Sequence, residues 1–174
     1  MDMFEQTVPQ LTKMLTNLKG WLQEARAYAD DRGFHPDNYT HARLQLDQFT
    51  LTQQIQAACD NAKGIAARLT GKDNPRHEDN ETTLDALEAR VDRVLAFLAT
   101  FTEEDFTDAE TRLVELPFLK GRGAPATSYL IEFGLPNFYF HCTMAYGILR
   151  HSGVKLGKRQ FIGGMKIVEL PSAE

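Results

Sequence analysis

Three stretches of this sequence space their apolar residues by alternating steps of three and four, and that rhythm constrains the fold more than any other feature. In TVPQLTKMLTNLKGWLQEARAYAD the series is Val8, Leu11, Leu15, Leu18, Leu22, Ala25 and Ala29. In TLTQQIQAACDNAKGIAARLTG it is Leu51, Ile55, Ala58, Ala62, Ile65 and Leu69, and a third series runs Leu84, Leu87, Val91, Val94, Leu98 and Phe101. On a helix, residues three and four apart stack above one another, so each series is a single apolar stripe on an otherwise polar rod. Such a stripe leaves water only by meeting another, so the spacing predicts an all-α protein whose helices pack antiparallel.

Local signals set the expected ends. Thr7 and Gln10 have capping-box spacing, which predicts that the first helix starts there with Pro9 in its first turn. Thr50 and Gln53 repeat that spacing before the second helix, and Gly71 is its expected stop. GKDNPRHEDNE, residues 71–81, reads as a polar linker. Residues 102–128 break the helical rhythm: RLVELPFL alternates weakly and KGRGAP supplies turn chemistry, which predicts a small hairpin or irregular excursion before the last helix. That helix is expected from about Ser128 to Gly153, interrupted near Gly134 and Pro136, with Phe138, His141, Ala145, Ile148 and Ser152 facing the core. The tail FIGGMKIVELPSAE is expected to pack as an extended segment or strand. The expected whole is a four-helix bundle in one domain, residues 1–174, whose long connections argue against simple up-down order.

The sequence carries 19 basic and 24 acidic residues, a formal net charge of −5, which argues against a nucleic-acid binder. Arg150, Lys155, Lys158, Arg159 and Lys166 form a basic stretch, read as a solvated helix end or, more sharply, as a cation-lined anion site. Glu103, Glu104, Asp105, Asp108 and Glu110 form an acidic one. No run approaches the ~18 apolar residues of a membrane span, and MDMFEQTVPQ lacks the basic start and apolar centre of a secretion signal. Cys59 and Cys142 both fall inside helical patterns, where buried thiols in a reducing cytoplasm are expected.

One polar residue stands out in the last helical run, PNFYFHCTMAYGILRHSGVKLGK. His141 lies on the apolar phase and is open to three readings: a metal ligand, an acid–base group, or a core histidine hydrogen-bonded across the bundle. Helix phase offers Asn137, Gln54, Asp60, Lys63, Tyr139 and Tyr146 as neighbours, and Gln53 is a further hydrogen-bonding candidate.

His141 followed by Arg150 nine positions on and Gly153 twelve positions on, in a bundle's last helix, resembles the DinB/YfiT-like superfamily. More closely, the chain is similar to an uncharacterised bacterial branch of it, a domain of unknown function. The matching stretches are ARL at 42–44, Asp47, QQIQAACDNAKGIAARLTG at 53–71 and LPNFYFHCTMAYGILRHSGVKLGKRQFIG at 135–163. The resemblance implies a four-helix bundle and, in many relatives, a divalent transition metal held by three histidines. One of these comes from the second helix and two from a His-x-x-x-His pair on the last. His141 matches the second member of that pair, Asn137 stands where the first would be, and the second helix offers Gln53, Gln54 and Asp60 but no histidine. A neutral amide is a weak ligand for zinc or nickel beside imidazole. His35, His41, His77 and His151 do not restore the triad. The expectation is therefore a bundle without a cofactor that binds a small molecule or pairs with itself. The alternative is a DinB-like metal-dependent transferase or hydrolase using His141. A homodimer is expected, because Trp21, Phe106, Phe118, Phe133 and Phe161 exceed what the stripes need.

Overall fold

The computed structural model describes residues 2–170. Helix α1 spans Met3–Arg32, α2 Leu51–Thr70 and α3 Leu84–Leu98. A small antiparallel sheet follows, β1 (Leu113–Glu115) paired with β2 (Gly123–Pro125), with Val114 opposite Ala124. One helical turn, α4 (Ala126–Ser128), runs into a π-helical segment, Tyr129–Gly134, and then α5, Leu135–His151. A short α6, Lys158–Ile162, completes the regular structure. No helix among the described residues is long and apolar enough to cross a membrane.

Every residue of the three stripes is buried, and Leu11, Leu15, Ile55, Ala58, Ala62, Leu87 and Val91 have no accessible surface. The helices close a ring. Helix α3 packs between α1 and α2 on one side, and α5 packs against α2 and α1 on the other. The two helices that follow each other first in sequence, α1 and α2, thus sit across a diagonal, joined by a long connection that holds a 3-10 turn at Pro36–His41.

Helix α2 starts and stops where its sequence says. Thr50 and Gln53 complete a capping box, and Gly71 ends the helix in the left-handed conformation at φ 76°. Helix α1 corrects the expectation at its start. It begins at Met3, one turn before Thr7, because the Asp2 carboxylate accepts from the Phe4 N–H at 2.8 Å. Phe4 then meets Phe106 edge-on with ring centroids 5.6 Å apart, which anchors the added turn. The Thr7 hydroxyl donates to the Met3 carbonyl instead of capping, and Pro9 lies in the second turn.

The expected interruption before the last long helix is the π-helical segment. Pro136, two residues after Gly134, brings no N–H for the carbonyl four residues back. At Gly134 an added Cβ would stand 3.1 Å from Ile65 Cγ1 and 3.3 Å from the Tyr129 carbonyl, so the missing side chain lets α5 approach α2.

Three other expectations change. Residues 72–82 are not a free linker; as described below, they are tied down by buried cations. Of the aromatics reckoned spare, Trp21 and Phe106 are core residues, and Phe161 stacks on Trp21 at 5.5 Å. The Trp21 indole N–H donates to the Gln160 carbonyl at 3.1 Å and Asn17 Nδ2 to the Phe161 carbonyl at 2.9 Å, so these rings fasten α6 onto α1. Phe118 and Phe133 stay exposed on the hairpin side, 5.5 Å apart. The tail from Gly163 to Leu170 has neither helix nor strand, and Met165, Ile167, Val168 and Leu170 are exposed.

Candidate functional site

Helices α2 and α5 run antiparallel, so residues rising along one meet residues falling along the other. Gln54 thereby faces His141 and Asn61, two turns on, faces Asn137. The Gln54 Oε1 and His141 Nδ1 atoms lie 2.7 Å apart, and Asn137 Nδ2 donates to Asn61 Oδ1 at 2.7 Å. A carboxamide oxygen only accepts, so the first pair puts the ring proton on Nδ1 and leaves the Nε2 lone pair free of it. His141 is half-buried, short of the full burial expected from its phase. The reason is position: the ring lies at the edge of the α2–α5 seam, stacked on Phe49 at 6.2 Å and edge-on to Phe140 at 5.3 Å. Burial holds its pKa below the ordinary imidazole value, so the ring is neutral at pH 7.

The donors around His141 do not suit the transition metal that the resemblance implies. A zinc or nickel site wants several imidazole, thiolate or carboxylate ligands. Here the imidazole has amide companions, Gln54, Asn61 and Asn137, already engaged in their own hydrogen bonds. Among the described residues no group of three His, Cys, Asp or Glu side chains is arranged to hold a metal ion. Cys59 of α2 and Cys142 of α5 are buried thiols. Burial pushes the Cys59 thiol up to about 12 and raises Cys142 well above its usual value.

The other residues proposed as neighbours of His141 lie elsewhere. Gln53 is spent on the Thr50 cap, accepting from its backbone N–H at 2.9 Å. Tyr146 is edge-on to both Trp21 and Phe161, and Tyr139 lines a small cleft with Gln10, Lys13 and Met14 of α1. Arg150 is exposed past the seam. Asp60 and Lys63 turn to the opposite side of α2, toward α3.

There they join a second polar centre that sequence reasoning missed. Arg90 of α3 has no accessible surface, and its guanidinium meets Asp60 at 2.9 Å, Asp79 at 2.7 Å and Glu81 at 3.1 Å. Glu81, itself buried, also receives Arg93 at 3.2 Å and Gln56 Nε2 at 3.0 Å. Lys63, buried on α2, reaches Asp60 at 3.2 Å and Asn74 Oδ1 at 3.2 Å. Asn74, Asp79 and Glu81 all belong to the stretch after Gly71, so the polar linker is a strap pinned over the α2–α3 groove. For Glu81, burial alone would raise the pKa, but the Gln56 hydrogen bond and the Arg90 charge bring it below the usual carboxylate value. A signal was present in the sequence. Arg90 stands three residues after Leu87 and four before Val94, on the stripe itself, where a charge has to find counter-charges.

Two clefts of about 570 and 510 Å³ open away from His141. The first carries acidic side chains, among them Glu103, Asp108 and Glu110. The second lies where the end of α2 meets β1 and carries Arg68, Lys72 and Arg112.

Comparison with known proteins follows this geometry. Residues 3–162 match the family described as Domain of unknown function (DUF1993). The crystal structure of a DinB family member protein from Shewanella denitrificans is similar to this chain with a TM-score of 0.92 and 42% sequence identity, covering 96% of this chain and 95% of that one. No curated protein matches the chain.

Proposed function

The chain belongs to the DUF1993 family of DinB-like domains, and on that premise we propose that it works as one non-catalytic helical domain. In this reading it holds no transition metal and pairs with a second copy through the face around His141. The observation that carries the reading is the Gln54–His141 hydrogen bond at 2.7 Å. It turns the one imidazole on the superfamily's ligand phase into a fixed member of the α2–α5 interface. Around that ring the surface is apolar: Phe140 is 54% exposed, Phe49 49% and Leu44 38%. Leu44 lies against α5, since a Cβ added at Gly147 would touch its Cδ1 at 3.6 Å, so connection and helix form one continuous patch. A twofold contact places such a patch against its own copy and removes both from water.

Light scattering combined with elemental analysis tests both halves of the reading. The expected mass at micromolar concentration is twice the 19.7 kDa chain, falling to one chain in Phe140→Asp, with no stoichiometric zinc or nickel in either. A wild-type mass of one chain sinks the dimer, and a stoichiometric metal lost in His141→Ala sinks the metal-free reading.

A further inference from the structure

The second cleft combines features that surface arginines on their own lack. Gly64 in the middle of α2 and Gly71 at its C-terminal cap stand seven residues apart. Each is occupied by a guanidinium. A Cβ built on Gly64 would come 2.5 Å from Arg68 Nη1, and one on Gly71 would come 2.7 Å from Arg112 Nη1. Gly71 is also the helix stop, but Gly64 is in the middle of α2, where glycine is about 1 kcal/mol worse than alanine. A methyl at that point would have to displace the end of the Arg68 side chain.

Arg68 is held without being neutralised, and Arg112 is exposed beside it on the same lining. Arg68 Nη1 donates to the Tyr129 hydroxyl at 3.1 Å, and its charge sits 5.9 Å from the centre of that ring, against a neutral partner. Among the described residues, neither Arg68 nor Arg112 has a carboxylate within ion-pairing distance. Lys72 at the rim is drawn to Asp105 at 2.6 Å. Asn74 commits its oxygen to Lys63 at 3.2 Å, so its remaining capacity is the NH2 group, a donor. Glu115 supplies the opposing charge on the lining. The end of α2 contributes the equivalent of about half a negative charge, less than the two arginines bring. Leu113 adds an exposed apolar side chain to the lining, while Val114 beside it turns into the core.

From this geometry we infer that the cleft between the end of α2 and β1 binds a small organic oxyanion, a carboxylate or a phosphate monoester. The acid group would sit at the Arg68 and Arg112 guanidiniums that line the cleft, with the apolar body against the exposed Leu113 side chain. Guanidinium forks match planar or tetrahedral oxyanions in paired hydrogen bonds, and about 510 Å³ lies within the usual size of small-molecule sites. The inference is independent of the dimeric reading, since the cleft lies on a different face and His141 is not part of its lining.

The test is a titration of the whole 15N-labelled protein with sodium phosphate and, separately, sodium benzoate, at constant ionic strength set with chloride. The arginine side-chain N–H signals are followed. The expected result is saturable shifts of the Arg68 and Arg112 signals by one of the two anions, with Kd at or below about 1 mM. Saturation by phosphate assigns the phosphate-ester class, and saturation by benzoate assigns the carboxylate class. Binding should fall at least about tenfold, near 1.4 kcal/mol, in Arg68→Gln/Arg112→Gln. Gly64→Ala guards against a folding artefact: it favours the helix while its methyl displaces Arg68, so it should also weaken binding with the fold intact. No saturation by either anion, or unchanged affinity in both variants, overturns the inference.

Discussion

At the scale of single residues, His141 is defined by what surrounds it. Its Nδ1 faces the Gln54 oxygen at 2.7 Å, and its flanks are Phe49 and Phe140. Removing the ring leaves the buried Gln54 carboxamide without its partner, a loss of about 1–3 kcal/mol. His141→Ala should therefore lower the denaturation free energy by that amount, and the Gln54→Ala change made on top of it should add little. Independent, fully additive losses would mean that the pair is incidental. The pH dependence has a fixed sign. Because burial holds the folded imidazole below its unfolded value of 6.5, the unfolded chain takes the proton first. The ring's contribution is complete above pH 6.5 and is lost as the pH falls from there through the lower folded value. A His141→Asn variant compared with wild type should show a flatter stability profile across that interval; identical slopes would refute the assignment.

At the scale of elements, the strap over α2 and α3 is the part that depends most on charge. Arg90 binds Glu81, Asp79 and Asp60 at once, and a buried ion pair broken from one side costs about 3–5 kcal/mol. Arg90→Met should destabilise by that order and should speed amide exchange and trypsin cleavage around Arg76. The double change Arg90→Met/Glu81→Leu removes both charges and should recover much of the stability, while the strap stays loose. Unchanged cleavage at Arg76 in the single variant would show that the ion pairs do not hold the strap. Glu81 adds an acid-sensitive element. Its folded pKa is below the unfolded value of 4.5, so its contribution is present above 4.5 and disappears as the pH falls through the lower folded value.

The same elements show what was legible in the sequence. Leu11, Ile55 and Val91 declare their helices because the period fixes which side must be dry. Gly71 and Thr50 fix the ends of α2 because caps are local chemistry. The hairpin and the break before Leu135 were legible from glycine and proline. Asp2 was overlooked as the cap of α1, since its hydrogen bond to Phe4 lies outside the apolar stripe that marked the helix. The strap was not legible as a strap, because Asp79 and Glu81 look like solvated acids until α3 brings Arg90 beneath them. The neighbours of His141 were half legible. Gln54 followed from helix phase, but Asp60, five residues past Ile55, lies on a different face, and choosing between faces requires knowing where α3 packs.

At the scale of the molecule, the order of the ring matters more than the number of helices in it. Helix α1 leans on α3 and α5, and α2 on the same two, while α1 and α2 meet only along a diagonal. Contacts that close such a ring join residues far apart in sequence, which slows folding relative to an up-down bundle of the same size. A ribosome releases α1 and α2 well before α5, and the nascent pair has little to hold it together. The dry sides of both helices, Leu15 and Leu18 on one and Ala62 and Ile65 on the other, stay open until residues past Leu135 have been made. A chain stopped at Gly121 should accordingly expose apolar surface, bind a hydrophobic dye and unfold without a cooperative transition, as calorimetry would record. A sharp melt from that fragment would mean that three helices suffice. If they do not, a premature stop anywhere before Leu135 releases a sticky, chaperone-dependent polypeptide and no smaller version of the protein.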